Sequence, residues 1–275
     1  MDRLILSDLD FTLLRSDLSI NSFTRETWNN CTSKAKLSIA TARSYTGIKD
    51  LLKGLILKEP LILLDGTIIA SPDGDILHMS AIDKSLGDEV LYIAQKSVGL
   101  YPLIVAWESE EEQFFYPKDP SFYQQELLKG IHNKKRIFAN KELRAKNNNL
   151  KIVFLSSQEE AHILVRALDS ALGQQIEIKS AQDPYMDCYF TTILHPMGDK
   201  AHALAKLEEL EGIDIAHTTV FGDNHNDIGM FKLAGTKIAV ANAIDGLKEL
   251  ADIILPHTND EDAVARYLND KVCRA

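Results

Sequence analysis

Two carboxylates stand one residue apart in Arg3-Leu4-Ile5-Leu6-Ser7-Asp8-Leu9-Asp10-Phe11-Thr12-Leu13-Leu14, inside an otherwise apolar run. Acids at alternate positions past a strand could act as a nucleophile and its acid–base partner, or as metal ligands. The carboxyl ends of parallel strands face the crevice where ligands bind. A lone Asp-x-Asp is weak, because acids also end strands as turn residues, and taken alone it favours a structural role. A second cluster changes the balance: Asp223, Asn226 and Asp227 follow another apolar run in Val220-Phe221-Gly222-Asp223-Asn224-His225-Asn226-Asp227. Carboxylates from two strand ends converge naturally on a divalent cation, and oxygen-only ligands select Mg2+ over Zn2+. A turn at Gly222-Asp223-Asn224 with Asp227 as helix cap is the competing reading, and the two are compatible.

Further pieces lie between these clusters. Thr41, in Leu37-Ser38-Ile39-Ala40-Thr41-Ala42-Arg43, offers a hydroxyl and neighbouring backbone N–H groups to an anion. Lys200 opens a helix, an unfavourable place for a cation in the field of the helix dipole. A bound phosphoryl group nearby accounts for it, and so does plain exposure. The segment Leu61-Ile62-Leu63-Leu64-Asp65-Gly66-Thr67-Ile68-Ile69 looks like the first stretch, but Leu63 stands where its first acid would be. It reads as a strand ending in a turn, mostly scaffold.

The elements that must position these residues follow from the apolar pattern. It predicts strands over 4–6, 37–40, 61–64, 218–221, 238–240 and 253–255, with helices over 22–34, 45–55, 201–210, 227–233 and 243–250. Strands alternating with helices imply an α/β fold, a Rossmann-like parallel sheet with helices on its faces. The middle breaks this rhythm, with strand-like runs at 103–106, 151–155 and 175–178 and a helix over 159–172. We therefore expect a core of residues 1–81 and 191–275, interrupted by an α+β unit over 82–190.

At 275 residues, with 45% hydrophobic and 25% charged residues, the chain can bury a core without staples. A net charge of −10 argues against nucleic-acid binding, which needs a basic face. Cys31, Cys188 and Cys273 are scattered, which reads as reduced, mostly buried thiols and a cytoplasmic location. Asp8 and Asp10 interrupt the first apolar run before it could serve as a signal peptide, and Lys58-Glu59-Pro60 breaks the most apolar region, so no membrane association is expected. The acidic run over 108–112 reads as a solvated loop.

The order Asp-x-Asp, Thr, Lys, Gly-Asp-x-x-Asn-Asp, each at a strand or helix end, resembles the haloacid dehalogenase superfamily. It looks most like the Cof-type branch, related to sucrose-phosphate phosphatases, which carries a large α+β cap between the Thr and Lys motifs. The Asn242-Ala243 pair and the Thr258-Asn259-Asp260-Glu261 run also look like that branch. The resemblance implies a Mg2+-dependent phosphomonoester hydrolase acting on a small metabolite, a sugar phosphate foremost, as a monomer or homodimer. It casts Asp8 as the nucleophile that becomes an aspartyl phosphate and Asp10 as the acid and then the base. Thr41, Ala42, Arg43, Lys200 and Asn226 would hold the phosphoryl group or substrate. Asp223 would bind Mg2+ beside the Asp8 carboxylate and the Asp10 carbonyl, with Asp227 in support. A cap of this size would exclude large substrates. A phosphotransferase or mutase would use the same aspartyl chemistry, and a noncatalytic binder would need neither Asp8 nor Asp10. Phe11 and Ala42 replace glycines common in the family. Asp65 replaces a frequent Asn on the substrate side, where the change bears on specificity.

Overall fold

A strand buried on both faces is apolar along most of its length, and Leu4–Asp8 (β1) follows this: all five residues are buried, and the polar Ser7 and Asp8 stand at its carboxyl end. The computed structural model describes residues 4–129, 134–183 and 186–274; residues 1–3 and 275 of the expected core, and 130–133 and 184–185 of the expected α+β unit, lie outside them. After β1 come α1 (Ser22–Cys31), β2 (Lys36–Ala40), a one-turn α2 (Tyr45–Ile48), β3 (Leu61–Leu63), β4 (Ile68–Ala70) and β5 (Ile76–Met79). The helix expected over 45–55 stops after that one turn, and the chain then passes through turns to Gly54.

The chain next builds α3 (Lys84–Val98), β6 (Leu103–Glu108), β7 (Glu111–Pro117), α4 (Phe122–Lys129), β8 (Ile137–Asn140), β9 (Asn149–Ser156), α5 (Gln158–Leu172), β10 (Glu177–Asp183) and β11 (Cys188–Leu194). It ends with α6 (Lys200–Glu211), β12 (Thr219–Gly222), α7 (Ile228–Leu233), β13 (Thr236–Ala239), α8 (Asp245–Lys248), β14 (Ile253–Ile254) and α9 (Ala263–Leu268).

These elements form two units, Met1–Met79 with Asp199–Ala275, and Ser80–Gly198. The first holds an eight-stranded sheet in the order β14-β13-β12-β1-β2-β3-β4-β5. Its strands are parallel from β14 to β3, while β4 and β5 are antiparallel. β1 lies between β2 and β12, so the two acidic motifs leave adjacent strands at the same edge of the sheet. The second unit is a six-stranded sheet, β10-β11-β9-β6-β7-β8, antiparallel except for β7 with β8. Its main core packs Val90, Ala94, Leu164 and Leu168 from α3 and α5 with Ile104, Ile152, Phe154 and Ile193 from the sheet. The junction expected at residue 190 falls inside β11, whose pairing with β9 and β10 runs on to Ile193 and Leu194, and the unit ends at Gly198.

Two expectations are corrected. The acidic run at 108–112 is a β-hairpin: Ser109 and Glu110 both have positive φ, as a two-residue turn matching strand twist requires, and Glu112 is buried. Cys31 and Cys273 are not reduced thiols but a disulfide, with Cα atoms 5.2 Å apart, while Cys188 is free and buried. Their 242-residue separation hides this proximity from any reading of spacing. No helix among the described residues is long and apolar enough to cross a membrane.

Candidate active site

β1 delivers Asp8, 5% exposed, to the sheet edge, and α6 brings Lys200 to the same point with no exposure at all. The Lys200 ammonium donates to Asp8 Oδ1 at 2.5 Å and to Asp227 Oδ1 at 2.7 Å. The helix opens on Asp199, whose carboxyl accepts the His202 N–H at 2.9 Å. This caps the first turn and leaves the lysine to lie inward rather than in solvent. Asp223, at the end of β12, completes the group, since Asp8, Asp223 and Asp227 each bring an oxygen within 4.8 Å of the others.

Asp227 is held from the other side as well. Its Oδ2 accepts the N–H groups of Asp223 and Asn224 at 3.0 and 3.1 Å. Gly222 permits this packing, because a Cβ there would stand 2.7 Å from the same oxygen. Both Asp227 oxygens are thus engaged, and the Thr12 hydroxyl donates to Asp223 Oδ1 at 3.0 Å.

The electrostatics follow from three buried acids sharing one ammonium. Burial pushes Asp8 well above the usual carboxylate range against the pull of Lys200, with Asp227 and Asp223 adding to the rise. Burial and the Asp227 charge push Asp223 up to about 6. Burial works against the Lys200 charge, yet Asp227 and Asp8 together hold its ammonium above the ordinary lysine value. A divalent cation fits this donor set: the ligands are oxygens, buried and clustered, and they carry more negative charge than Lys200 neutralises.

The remaining expected residues surround this group. Thr41 is fully buried past β2; its N–H is taken by the Ile62 carbonyl at 2.9 Å, and its hydroxyl oxygen accepts the Arg43 N–H at 3.1 Å. The hydroxyl proton, rather than the Thr41 amide, is what this residue can offer an oxyanion. Ala42 is exposed between them. The Arg43 guanidinium grips the Asp10 carboxylate with both oxygens engaged, at 2.7–3.0 Å. Asp10 therefore stands beside the acidic group without joining its carboxylates. The Asn226 amide reaches Asp65 Oδ1 at 3.5 Å.

Two features of the site go beyond the sequence reading, which set Asp65 on the substrate side without its backbone conformation and did not find the second feature. The segment taken as scaffold, Leu64-Asp65-Gly66, is built into the site: its amides bond the carbonyls of Arg43 and Thr41, both at 3.0 Å. The second is a brace from the far end of the chain. Phe11 takes a left-handed conformation, φ 58°, and its carbonyl accepts the Asn242 amide at 2.8 Å. Asn242 is fixed in turn by the Asn259 N–H at 2.9 Å, while Asn259 donates to the Leu14 carbonyl at 3.0 Å and Asp260 accepts from Ser16. The recurrence of Asn-Ala and Thr-Asn-Asp-Glu was the available signal; the brace gives it a physical meaning.

A family model described as haloacid dehalogenase-like hydrolase matches residues 5–268. The 5-amino-6-(5-phospho-D-ribitylamino)uracil phosphatase YwtE of Bacillus subtilis is 26% identical over 282 residues, covering 96% of each chain. An HMP-PP phosphatase of Citrobacter koseri is 26% identical over 284 residues, covering 98% of this chain and 95% of its own. A solved haloacid dehalogenase-like hydrolase from Bacteroides thetaiotaomicron matches with a TM-score of 0.78 at 24% identity, covering 98% of this chain and 99% of its own, which establishes likeness of fold.

Proposed function

The chain belongs to the haloacid dehalogenase-like hydrolase family and is a phosphatase of its Cof type, and from this premise we propose that it hydrolyses the phosphomonoester of a small metabolite through a phosphorylated Asp8. The observation that carries the proposal is the wholly buried Lys200 bridging Asp8 and Asp227 beside Asp223. An ammonium so placed steadies the nucleophile and faces an incoming phosphoryl oxygen, and positioning with charge stabilisation is most of phosphoryl-transfer catalysis.

In the first displacement a carboxylate oxygen of Asp8 bonds to phosphorus as the ester P–O bond breaks, and Asp10 gives its proton to the departing alkoxide. In the second, Asp10 takes a proton from water as that water attacks phosphorus; inorganic phosphate leaves and the Asp8 carboxylate is restored. One residue serves as acid and then as base. Arg43, which grips Asp10 here, would orient that carboxyl and release it for proton transfer. The Thr41 hydroxyl, Lys200 and Asn226 would hold the phosphoryl oxygens and the substrate.

Asp8 and Asp223, with the Asp10 carbonyl, would hold Mg2+ while Asp227 positions Lys200 and the Asp223 loop. The cation would neutralise phosphoryl charge that otherwise repels the Asp8 carboxylate. The two relatives are named for a phosphorylated ribityl compound and for HMP-PP; a small phosphorylated metabolite, a sugar or polyol phosphate foremost, is the substrate class proposed for this chain.

The test is phosphate release from a panel of sugar, polyol and heterocycle-linked phosphates, in Mg2+ and in EDTA. Release concentrated on a few compounds and abolished by EDTA is expected. Release that EDTA leaves unchanged, or none from any compound, contradicts the proposal.

A further inference from the structure

Three consecutive residues after β3 take positive φ: Leu64 at 51°, Asp65 at 64° and Gly66 at 115°. Side chains rarely tolerate this conformation, and it persists only where the surroundings fix it. Here they do so at every step. The Leu64 and Asp65 amides are held by the Arg43 and Thr41 carbonyls, and the Thr67 hydroxyl closes on the Leu64 carbonyl at 3.1 Å. Gly66 lies so close to the start of α6 that a Cβ would stand 2.1 Å from the Asp199 carbonyl oxygen and 2.8 Å from the Lys200 backbone nitrogen. The turn is thus locked against three parts of the site: the Thr41 loop, the Lys200 helix and, through the Asp65 side chain, Asn226. Asp65 itself is 8% exposed.

So much constraint places one acid among residues that handle a phosphoryl group, where another negative charge makes phosphate binding harder. We propose that Asp65 determines specificity: it selects phosphomonoesters whose organic part is uncharged or cationic and presents hydroxyl or amino hydrogens. It rejects those carrying a second anion, a carboxylate or a further phosphoryl group, beside the reacting one. An ionised carboxylate only accepts hydrogen bonds, so a substrate hydroxyl or amine satisfies it and a second anion cannot. The repulsion between like charges strengthens as water is excluded, whereas an Asn at this position would offer both a donor and an acceptor and no charge.

The inference rests on the hydrolase reading, but its test separates the two. Glycerol 3-phosphate and 3-phosphoglycerate differ chiefly in whether the group distal to the phosphate is neutral or anionic. Their dissociation constants would be measured by calorimetry with Mg2+ for wild type and Asp65→Asn, alongside phosphate release. Wild type is expected to prefer the neutral compound by about tenfold or more, and Asp65→Asn to lose most of that preference. Equal ratios in the two proteins, or no binding of either compound, overturn the proposal. Should the variant fail to fold, equal affinity of wild type for both compounds overturns it and a preference for the neutral one upholds it. A charge-sensitive affinity ratio with no phosphate release from any compound of the wider panel would sink the hydrolase reading and leave the selectivity standing.

Discussion

Lys200 is the residue on which the site's charge balance turns. Its side chain is fully buried with Asp227, and Asp8 is nearly so, so solvent screens little of their interaction. Pairs of this kind contribute modestly as a whole, because desolvation offsets attraction, but removing one member leaves an uncompensated buried charge. Lys200→Met should therefore lower stability by about 3–5 kcal/mol, read as a shift in urea midpoint without divalent cations. Added Mg2+ should recover part of the loss, since a ligand that binds only the folded state stabilises it by mass action. An unchanged midpoint would mean that the three acids do not depend on the ammonium. Asp65 shows the opposite lesson at this scale. The sequence set it on the substrate side, but its left-handed backbone, φ 64°, leaves no mark in the comparison of its segment with the first Asp-x-Asp stretch.

At the scale of elements, the brace from Asn242 and Asn259 to the loop after β1 explains how Phe11 can stand where glycine is common. A left-handed non-glycine residue costs about 1–2 kcal/mol, and the Asn242 bond to its carbonyl helps to hold it there. Asn242→Ala should lower kcat by about tenfold while moving KM little, because Asp10 is displaced and the phosphate-holding groups are not; tenfold corresponds to about 1.4 kcal/mol. Adding Phe11→Gly should restore much of the lost rate, since glycine adopts positive φ without strain. A double variant no faster than Asn242→Ala would refute the brace. The strands that carry the motifs were legible because β1, β2, β3 and β12 are short apolar runs with acids or hydroxyls at their ends. The brace was not, because hydrogen bonds joining residues more than 200 positions apart leave no local pattern. The hairpin at 108–112 was misread for a related reason: charge suggested a solvated loop, while strand pairing buried Glu112.

On the scale of the whole molecule, the unit that holds the site is assembled from both ends of the chain. β1 from the beginning pairs with β12 from the end, and the Cys31–Cys273 disulfide ties α1 to the last described turn. The interruption between them was legible from the change in rhythm after residue 81. Its limit at Gly198 was missed because β11 owes its place to pairing with β9 and β10, which no local pattern in the sequence announces. In the proposed mechanism this assembly serves one event, transfer of a phosphoryl group to Asp8. The most direct measurement is intact-protein and peptide mass spectrometry after rapid acid quench of Asp10→Asn with Mg2+ and 4-nitrophenyl phosphate, whose phenolate departs without the proton that Asp10 would give an alkoxide. Without a base to activate water, this variant should accumulate a phosphoryl adduct on the peptide bearing Asp8, and the adduct should vanish when Asp8→Asn is added. Turnover without any adduct, or an adduct on another residue, would contradict the central claim.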